Sequence, residues 1–330
     1  MCRWFAYIGQ QVHLCEWFAE VFDRLSLGLI SQDPSAETDE EKEKEKDVRL
    51  RNIMYNTDGF GVAWYSTTRA EFDDDTFGPR PAMYKTIAPP KTDPTFLFLC
   101  ANTASKCVLA HVRAASAPPI VPTNNHPFIF GRHSFMHNGG VAFFPEIRHA
   151  LSQHKISPSI LAQLQGNTDS EHLAAVYMTH LGDAQAAHSL EEMKAALLHT
   201  IRDMMEVQKA VLSPDQLTKA ASSLNLCTTD GEQLVAIRYR NHSTQQPPSL
   251  YISTTAGIIL NRKYPGSSFD PSELSLAADH PARKQHAKHV IVVSEPTTFD
   301  INEWRLMDKN ELLTVGKDMT VTSEIVKLSF

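Results

Sequence analysis

Met1-Cys2-Arg3-Trp4-Phe5-Ala6-Tyr7-Ile8-Gly9 is the stretch from which the fold is read. From Arg3 to Ile8 the run is mostly apolar and rich in aromatics, so it predicts a strand buried within a sheet. Ahead of it stands a cysteine directly behind the initiator methionine, a residue small enough for that methionine to be trimmed. Once trimmed, Cys2 carries a thiol and a free α-amine on one carbon. A terminal α-amine has a reference pKa of about 8, against about 10.4 for lysine, so near neutral pH much of it is free to take the thiol proton. The same residue also reads as an ordinary buried cysteine, and these residues alone do not separate the two readings.

The rest of the composition narrows the function classes. With 330 residues and 42 % hydrophobic content the chain has ample material for a core. It reads as one domain over 2–330. A formal net charge of −7, with no Lys/Arg cluster interleaved with aromatics, argues against a nucleic-acid partner or an anionic membrane surface. No basic-then-apolar leader opens the chain and no apolar run approaches the roughly 20 residues of a membrane span, so the expected location is the cytoplasm. Five cysteines, at positions 2, 15, 100, 107 and 227, are odd in number and widely spaced, which predicts reduced thiols rather than a disulfide framework.

Outward from the first strand, Trp17, Phe18, Val21, Phe22, Leu25 and Leu29 fall on one stripe and predict a covering helix over 16–29. Residues 31–48 form a charged insert. Its 37–47 core holds seven acids and three lysines, four of the seven net negative charges, and reads as solvated. Asn56-Thr57-Asp58-Gly59-Phe60-Gly61 is a turn running into a strand, and residues 71–81 read as an exposed loop. Val108 to Arg113 is a short apolar strand ending on a charge. Arg113 is read either as a surface cation or as a clamp gripping both oxygens of a carboxylate.

Ser134 to Gly140 ends in Asn138-Gly139-Gly140, which reads either as a hairpin turn or as a pair of donors to a developing oxyanion, the Asn138 amide and the Gly139 N–H. A helix is predicted from Pro145, and Thr168 with Glu171 forms a capping-box pattern ahead of a helix through Leu181. Asp169 in its first turn complements the helix dipole or receives an ammonium group. A longer helix is predicted over Leu190 to Val211. Hairpin strands are predicted at Asn225 to Thr229 and Leu234 to Tyr239, with further strands at Leu250 to Thr254 and His289 to Ser294. The stretch 261–287, rich in Pro, Ser and charge, reads as a loop.

Other chemistries find little footing. His133 and His137 lack the intervening glutamate of a zinc-protease helix, and Cys100 and Cys107 are too far apart for a zinc knuckle, so no metal is expected. No phosphate-cradling or dinucleotide-binding glycine loop appears, nor a Gly-x-Ser-x-Gly elbow, so no cofactor is expected. A papain-type pair of Cys2 with His111 or His126 stays open, although there the cysteine opens a helix and here a strand follows.

Taken together, Cys2-Arg3-Trp4-Phe5, Asp58-Gly59-Phe60-Gly61, His111-Val112-Arg113, Asn125-His126-Pro127-Phe128, His137-Asn138-Gly139 and Thr168-Asp169-Ser170-Glu171 resemble, in order and spacing, the class II glutamine amidotransferases. The motifs cover about the first 180 residues. Val292-Val293-Ser294-Glu295-Pro296, with Trp304, extends the likeness to a free-standing branch that includes the fungal Dug-complex subunit of glutathione breakdown and the ergothioneine-pathway amidohydrolase.

The resemblance implies an α+β fold, the four-layer αββα sandwich of two antiparallel sheets of the N-terminal-nucleophile (Ntn) hydrolases. It implies that Cys2 attacks the γ-carbonyl of a glutamine-like side chain to give a γ-glutamyl thioester, that Asn138 and Gly139 hold the oxyanion, and that Arg113 and Asp169 fix the α-carboxylate and α-ammonium. Ser116 and His126 match pocket positions in relatives. Where some relatives carry an aromatic residue after the arginine, this chain has Ala114. Without a synthase domain in the sequence, the expected reaction is hydrolysis of a small γ-glutamyl amide such as glutathione or a related conjugate. A protein partner is expected to carry a peptidase activity. The alternatives are a glutaminase subunit passing ammonia to a separate synthase, and a silent binding subunit if Met1 is retained.

Overall fold

A computed structural model describes residues 2–14, 58–74, 77–114, 119–256, 289–298 and 301–328. The helix expected over 16–29, the charged insert 31–48, Ser116 and the loop 261–287 lie outside the described residues.

The opening run forms the strand predicted, and it is longer than the apolar run: β1 spans Arg3–His13. Its side chains are buried on both faces. Trp4, Ala6 and Ile8 enter one core and Phe5 and Tyr7 the opposite one, which is why the sequence carries no polar alternation there. Two neighbours pair with it antiparallel, β4 (Ala104–Val112) and β10 (His289–Val293).

The first sheet continues through β2 (Phe60–Ser66) to the edge strand β3 (Arg80–Thr86) on one side and through β9 (Tyr251–Ser253) to β11 (Arg305–Leu306) on the other, in the order β11-β9-β10-β1-β4-β2-β3. The second sheet runs β13-β12-β8-β7-β6-β5 and is also antiparallel, with β5 (Phe128–Phe130), β6 (His133–Gly140), β7 (Ser223–Thr229), β8 (Leu234–Arg240), β12 (Glu311–Val315) and β13 (Val321–Ile325).

The two sheets face one another across a core in which Trp4, Ala6 and Ile8 meet Met136, Cys227, Leu234 and Ala236. Helices cover the outer faces. On the first sheet, Phe96 and Cys100 of α1 (Pro94–Ala101) pack against Phe5, Phe60 and Val62. On the second, α2 (Phe144–Lys155), α3 (Asp169–Leu181) and α4 (Leu190–Val211) bury Ile147, Leu173, Leu197 and Ile201 against Leu224 and Leu226. The result is the layered α+β architecture expected.

Several local expectations needed correction. The loop expected over 71–81 is trimmed at both ends, by a one-turn helix at Thr68–Phe72 and by the start of β3, whose Pro81 sits where an edge strand tolerates it. Asn138-Gly139 is no hairpin turn, because β6 runs on to Gly140 with both residues paired to β7. The capping box at Thr168 is half made. The Thr168 hydroxyl accepts from the Glu171 N–H at 3.2 Å, but the Glu171 carboxylate turns back to the N–H groups of Gln165 and Gly166 at 2.9 and 2.7 Å.

Candidate active site

Cys2 lies one residue before the paired part of β1, so its position is set by the register of Arg3 and Trp4 opposite Val112 and His111. The chain leaving β4 folds over it. The Ala114 N–H donates to the Cys2 sulfur at 3.3 Å, and the thiol donates back to the Ala114 carbonyl at 3.2 Å. Burial pushes the thiol above its ordinary pKa, while the Ala114 N–H and the Arg113 charge pull it down. Neither His111 nor His126 is hydrogen-bonded to the sulfur. Their rings lie 4.1 Å apart in the interior, all four nitrogens without a partner, so the papain-type pair is not formed.

Arg113 is buried at the end of β4, with its backbone N–H donating to the Gly59 carbonyl at 2.9 Å. Among the described residues its guanidinium makes only long contacts, to the Pro119 carbonyl at 3.4 Å and to Asn125 Oδ1 at 3.5 Å, and no carboxylate there pairs with it. Asn125 is in turn held by donating to the Thr86 carbonyl at 2.9 Å. A buried cation without a counter-ion is costly, and an incoming carboxylate would relieve that cost.

Asn138 is buried on β6. Its Nδ2 lies 3.5 Å from Ser294 Oγ, and its Oδ1 has no partner. Ser294 stands just past β10 and bonds the backbone of Trp4 twice, its hydroxyl accepting the Trp4 N–H at 3.0 Å and its own N–H donating to the Trp4 carbonyl at 3.0 Å. One serine thus joins the strand behind Cys2 to the Asn138 amide. Gly139 has φ +145°, and a Cβ there would run into the Ser223 carbonyl oxygen on β7, so the position requires glycine.

Asp169 sits in the first turn of α3 with both oxygens occupied. Oδ2 accepts from the Val141 N–H at 2.9 Å, and Oδ1 from the Ser170 N–H at 2.7 Å and its hydroxyl at 3.2 Å. The carboxylate is therefore fixed in place rather than swinging in solvent.

Arg113, Gly139 and Asp169 line one cavity of about 460 Å³, together with Asn124, Phe144 and Arg148. Cys2 is close enough to both Arg113 and Asp169 to feel their charges. Five of the seven sequence-predicted residues, Cys2, Arg113, Asn138, Gly139 and Asp169, are thus gathered at one end of the sandwich. Ser116 lies outside the described residues. His126 does not line the cavity. Its ring is buried against His111 and Phe128, and burial, with the neighbouring histidines, holds its pKa well below the ordinary value. Sequence reasoning gave no role to Asn125, Arg148 or Ser294. Asn125 and Ser294 lay inside quoted motifs, and Arg148 carried no local signal beyond a cation on a helix with no acid three or four residues away.

Among the described residues no group of three or more His, Cys, Asp or Glu side chains is placed to hold a metal ion, and no helix is long and apolar enough to cross a membrane.

Residues 48–327 match the family model described as glutamine amidotransferases class-II, a stretch that begins beyond β1. A Saccharomyces cerevisiae protein named "Probable glutamine amidotransferase DUG3" is 30 % identical over 336 residues, which cover 99 % of this chain and 85 % of the yeast protein. A class-II glutamine amidotransferase domain protein from Silicibacter pomeroyi superposes with a TM-score of 0.58 at 22 % identity, over 98 % of this chain and 99 % of that one. The phosphoribosylpyrophosphate amidotransferase of Bacillus subtilis superposes at 0.50 and 13 % identity, over 99 % of this chain but only 50 % of its own. These structural likenesses show the fold, the two-sheet sandwich of the Ntn hydrolases. The family match over most of the length and the yeast relative over nearly all of it lead to one conclusion: the chain belongs to the class II glutamine amidotransferases.

Proposed function

We propose that this chain hydrolyses the γ-glutamyl amide bond of a small molecule, with Cys2 as nucleophile once Met1 has been removed. The observation that carries the reading is the cavity beside Cys2, lined by a buried arginine that no carboxylate among the described residues pairs with and by a fixed carboxylate, a complementary pair for the two charged α-groups of a γ-glutamyl unit. Arg113 takes the α-carboxylate and Asp169 the α-ammonium, which brings the γ-carbonyl to the sulfur. The Cys2 α-amine accepts the thiol proton as sulfur attacks, and Asn138 Nδ2 and the Gly139 N–H receive the charge that develops on oxygen. Collapse breaks the C–N bond, with the amine leaving as it takes that proton, and forms a γ-glutamyl thioester. Water then breaks the C–S bond, releasing glutamate and restoring the thiol. No cofactor enters this sequence.

In this reading Ser116 keeps the substrate-binding role that the resemblance implies, whereas His126, whose ring lies off the cavity, makes no direct contact. The substrate is glutathione or a related γ-glutamyl conjugate, processed in the cytoplasm as part of a complex whose other subunit carries a peptidase activity. The resemblance to the free-standing branch and the yeast relative support that choice. The test is the N-terminal mass of the purified protein, followed by glutamate release from glutathione and from glutamine, with and without the partner. Retained Met1 would remove the proposed base, because the Cys2 nitrogen would then be an amide. Glutamate released from glutamine alone would replace the peptide reading with that of a glutaminase subunit feeding ammonia to a separate synthase.

A further inference from the structure

The cavity holds one more charge than a γ-glutamyl unit can use. Its charged lining residues, among those described, are Arg113, Asp169 and Arg148. Arg113 and Asp169 suffice for the α-carboxylate and α-ammonium, so Arg148 is left over at the wall formed by α2. Nothing in its helix accounts for it. The residues three and four positions away are Phe144, Pro145, Leu151 and Ser152, none of them acidic, and no carboxylate among the described residues pairs with it. At the start of α3 the His172 ring packs edge-on at 5.2 Å against Phe144, which lines the cavity with Arg148. Burial, foremost, holds the His172 pKa down, with the Arg148 charge adding to it.

The cavity volume, about 460 Å³, belongs with pockets that take ligands larger than a free amino acid. Glutamine would leave its outer part empty, because its leaving group is ammonia. In a γ-glutamyl peptide the leaving amine carries its own carboxylate, which needs a second cation beyond the one that holds the γ-glutamyl unit.

We propose that Arg148 is that second cation: it binds the carboxylate of the leaving amine and so selects γ-glutamyl peptides over glutamine. The inference rests on the γ-glutamyl reading above. Phe144 supplies an apolar part of the wall, and the guanidinium, paired with no carboxylate among the described residues, is available for a bidentate contact.

The test compares the full-length processed chain with Arg148→Ala and Arg148→Lys on three substrates: glutathione, glutathione with its C-terminal carboxylate converted to the amide, and glutamine. In the native protein, masking the carboxylate lowers kcat/KM about tenfold. Arg148→Ala lowers kcat/KM for glutathione by a similar factor, chiefly through KM, while glutamine stays within about twofold and the amide no longer differs from glutathione. Arg148→Lys recovers part of the loss. An equal effect on all three substrates, or none on glutathione, overturns the assignment. If the native chain turns over none of them, the reaction proposed above fails. Calorimetric binding of glutathione to Cys2→Ala then decides the inference separately: binding that an added Arg148→Ala does not weaken, or no binding at all, overturns it.

Discussion

Ala114 holds the Cys2 sulfur from two directions, its N–H donating at 3.3 Å and its carbonyl accepting the thiol proton at 3.2 Å. The N–H favours the thiolate, whereas the carbonyl favours the thiol, so this one backbone unit steadies both protonation states of the proposed nucleophile. Replacing Ala114 with proline deletes the donor and keeps the acceptor. A hydrogen bond to a charged group contributes about 1.5–3 kcal/mol, so the thiolate population at a fixed pH near 8 should fall by about tenfold or more. Alkylation of Cys2 by iodoacetamide, followed by mass spectrometry, reads this directly. An unchanged rate would mean that the Ala114 N–H has no hold on the sulfur.

Ser294 offers a second handle on the same strand. Its hydroxyl accepts from the Trp4 N–H and lies within reach of Asn138, so Ser294→Ala leaves a buried N–H without an acceptor and frees the amide proposed to stabilise the oxyanion. The expected cost is about 1–2 kcal/mol in urea unfolding. In steady-state kinetics kcat should fall by about tenfold with KM little changed, because oxyanion stabilisation is felt in the transition state rather than in substrate binding. A rise in KM at constant kcat would assign Ser294 to the pocket instead.

Gly139 should tolerate no side chain. With φ at +145° and the Ser223 carbonyl in the way, Gly139→Ala must displace β6 from β7. A loss of about 2–4 kcal/mol is expected from the clash and the backbone strain together. The melting temperature measures it, and a shift of less than a degree would contradict the packing described.

The interior histidines give the fold an acid limit. His111 is fully buried with neither ring nitrogen bonded, and burial first, then the nearby His137 and Arg113, hold its pKa down to about 3. The folded chain keeps the ring neutral, whereas the unfolded chain protonates it below pH 6.5. Stability is therefore complete above that pH and is lost as pH falls toward the folded value. Between pH 6.5 and 4.5 the ring accounts for about 2 kcal/mol of that loss. His111→Leu forfeits no hydrogen bond, so its urea midpoint should decline less steeply over this interval than that of the native chain. Parallel declines would place the acid sensitivity elsewhere.

What the sequence could reveal followed the kind of burial involved. β10 and the central stretches of β1, β4 and β8 are covered on both faces and appear as mostly apolar runs, and β7, buried throughout, mixes apolar and polar residues. By contrast, β13 is exposed throughout and β3 is a half-exposed edge strand with a proline, so neither carries a two-residue period. The helix at Pro94–Ala101 is apolar almost all round and lacks the stripe by which α4 was found. The same division holds in the site. Residues set by local motifs could be listed in advance. Ser294, which meets Trp4 from 290 residues away, acquires its role only when β10 pairs with β1.

Arg113 separates a structural cation from a ligand anchor. It is buried, its contacts are long, and no carboxylate among the described residues balances it. A guanidinium that served the fold would be destabilising to remove. One kept for a ligand is a burden on the empty protein, and an apolar side chain of similar length should relieve it. Arg113→Met is therefore expected to leave stability unchanged or to raise it by about 1–2 kcal/mol, while Arg113→Ala falls below both because the packing of the stem is lost. Glutamate, the proposed product, should raise the melting temperature of the native chain through preferential binding to the folded state and leave that of Arg113→Met unmoved. Scanning calorimetry with and without glutamate measures both. If Arg113→Met were destabilised by several kcal/mol, or were still stabilised by glutamate, the arginine would belong to the architecture and the γ-glutamyl site would have lost its carboxylate clamp.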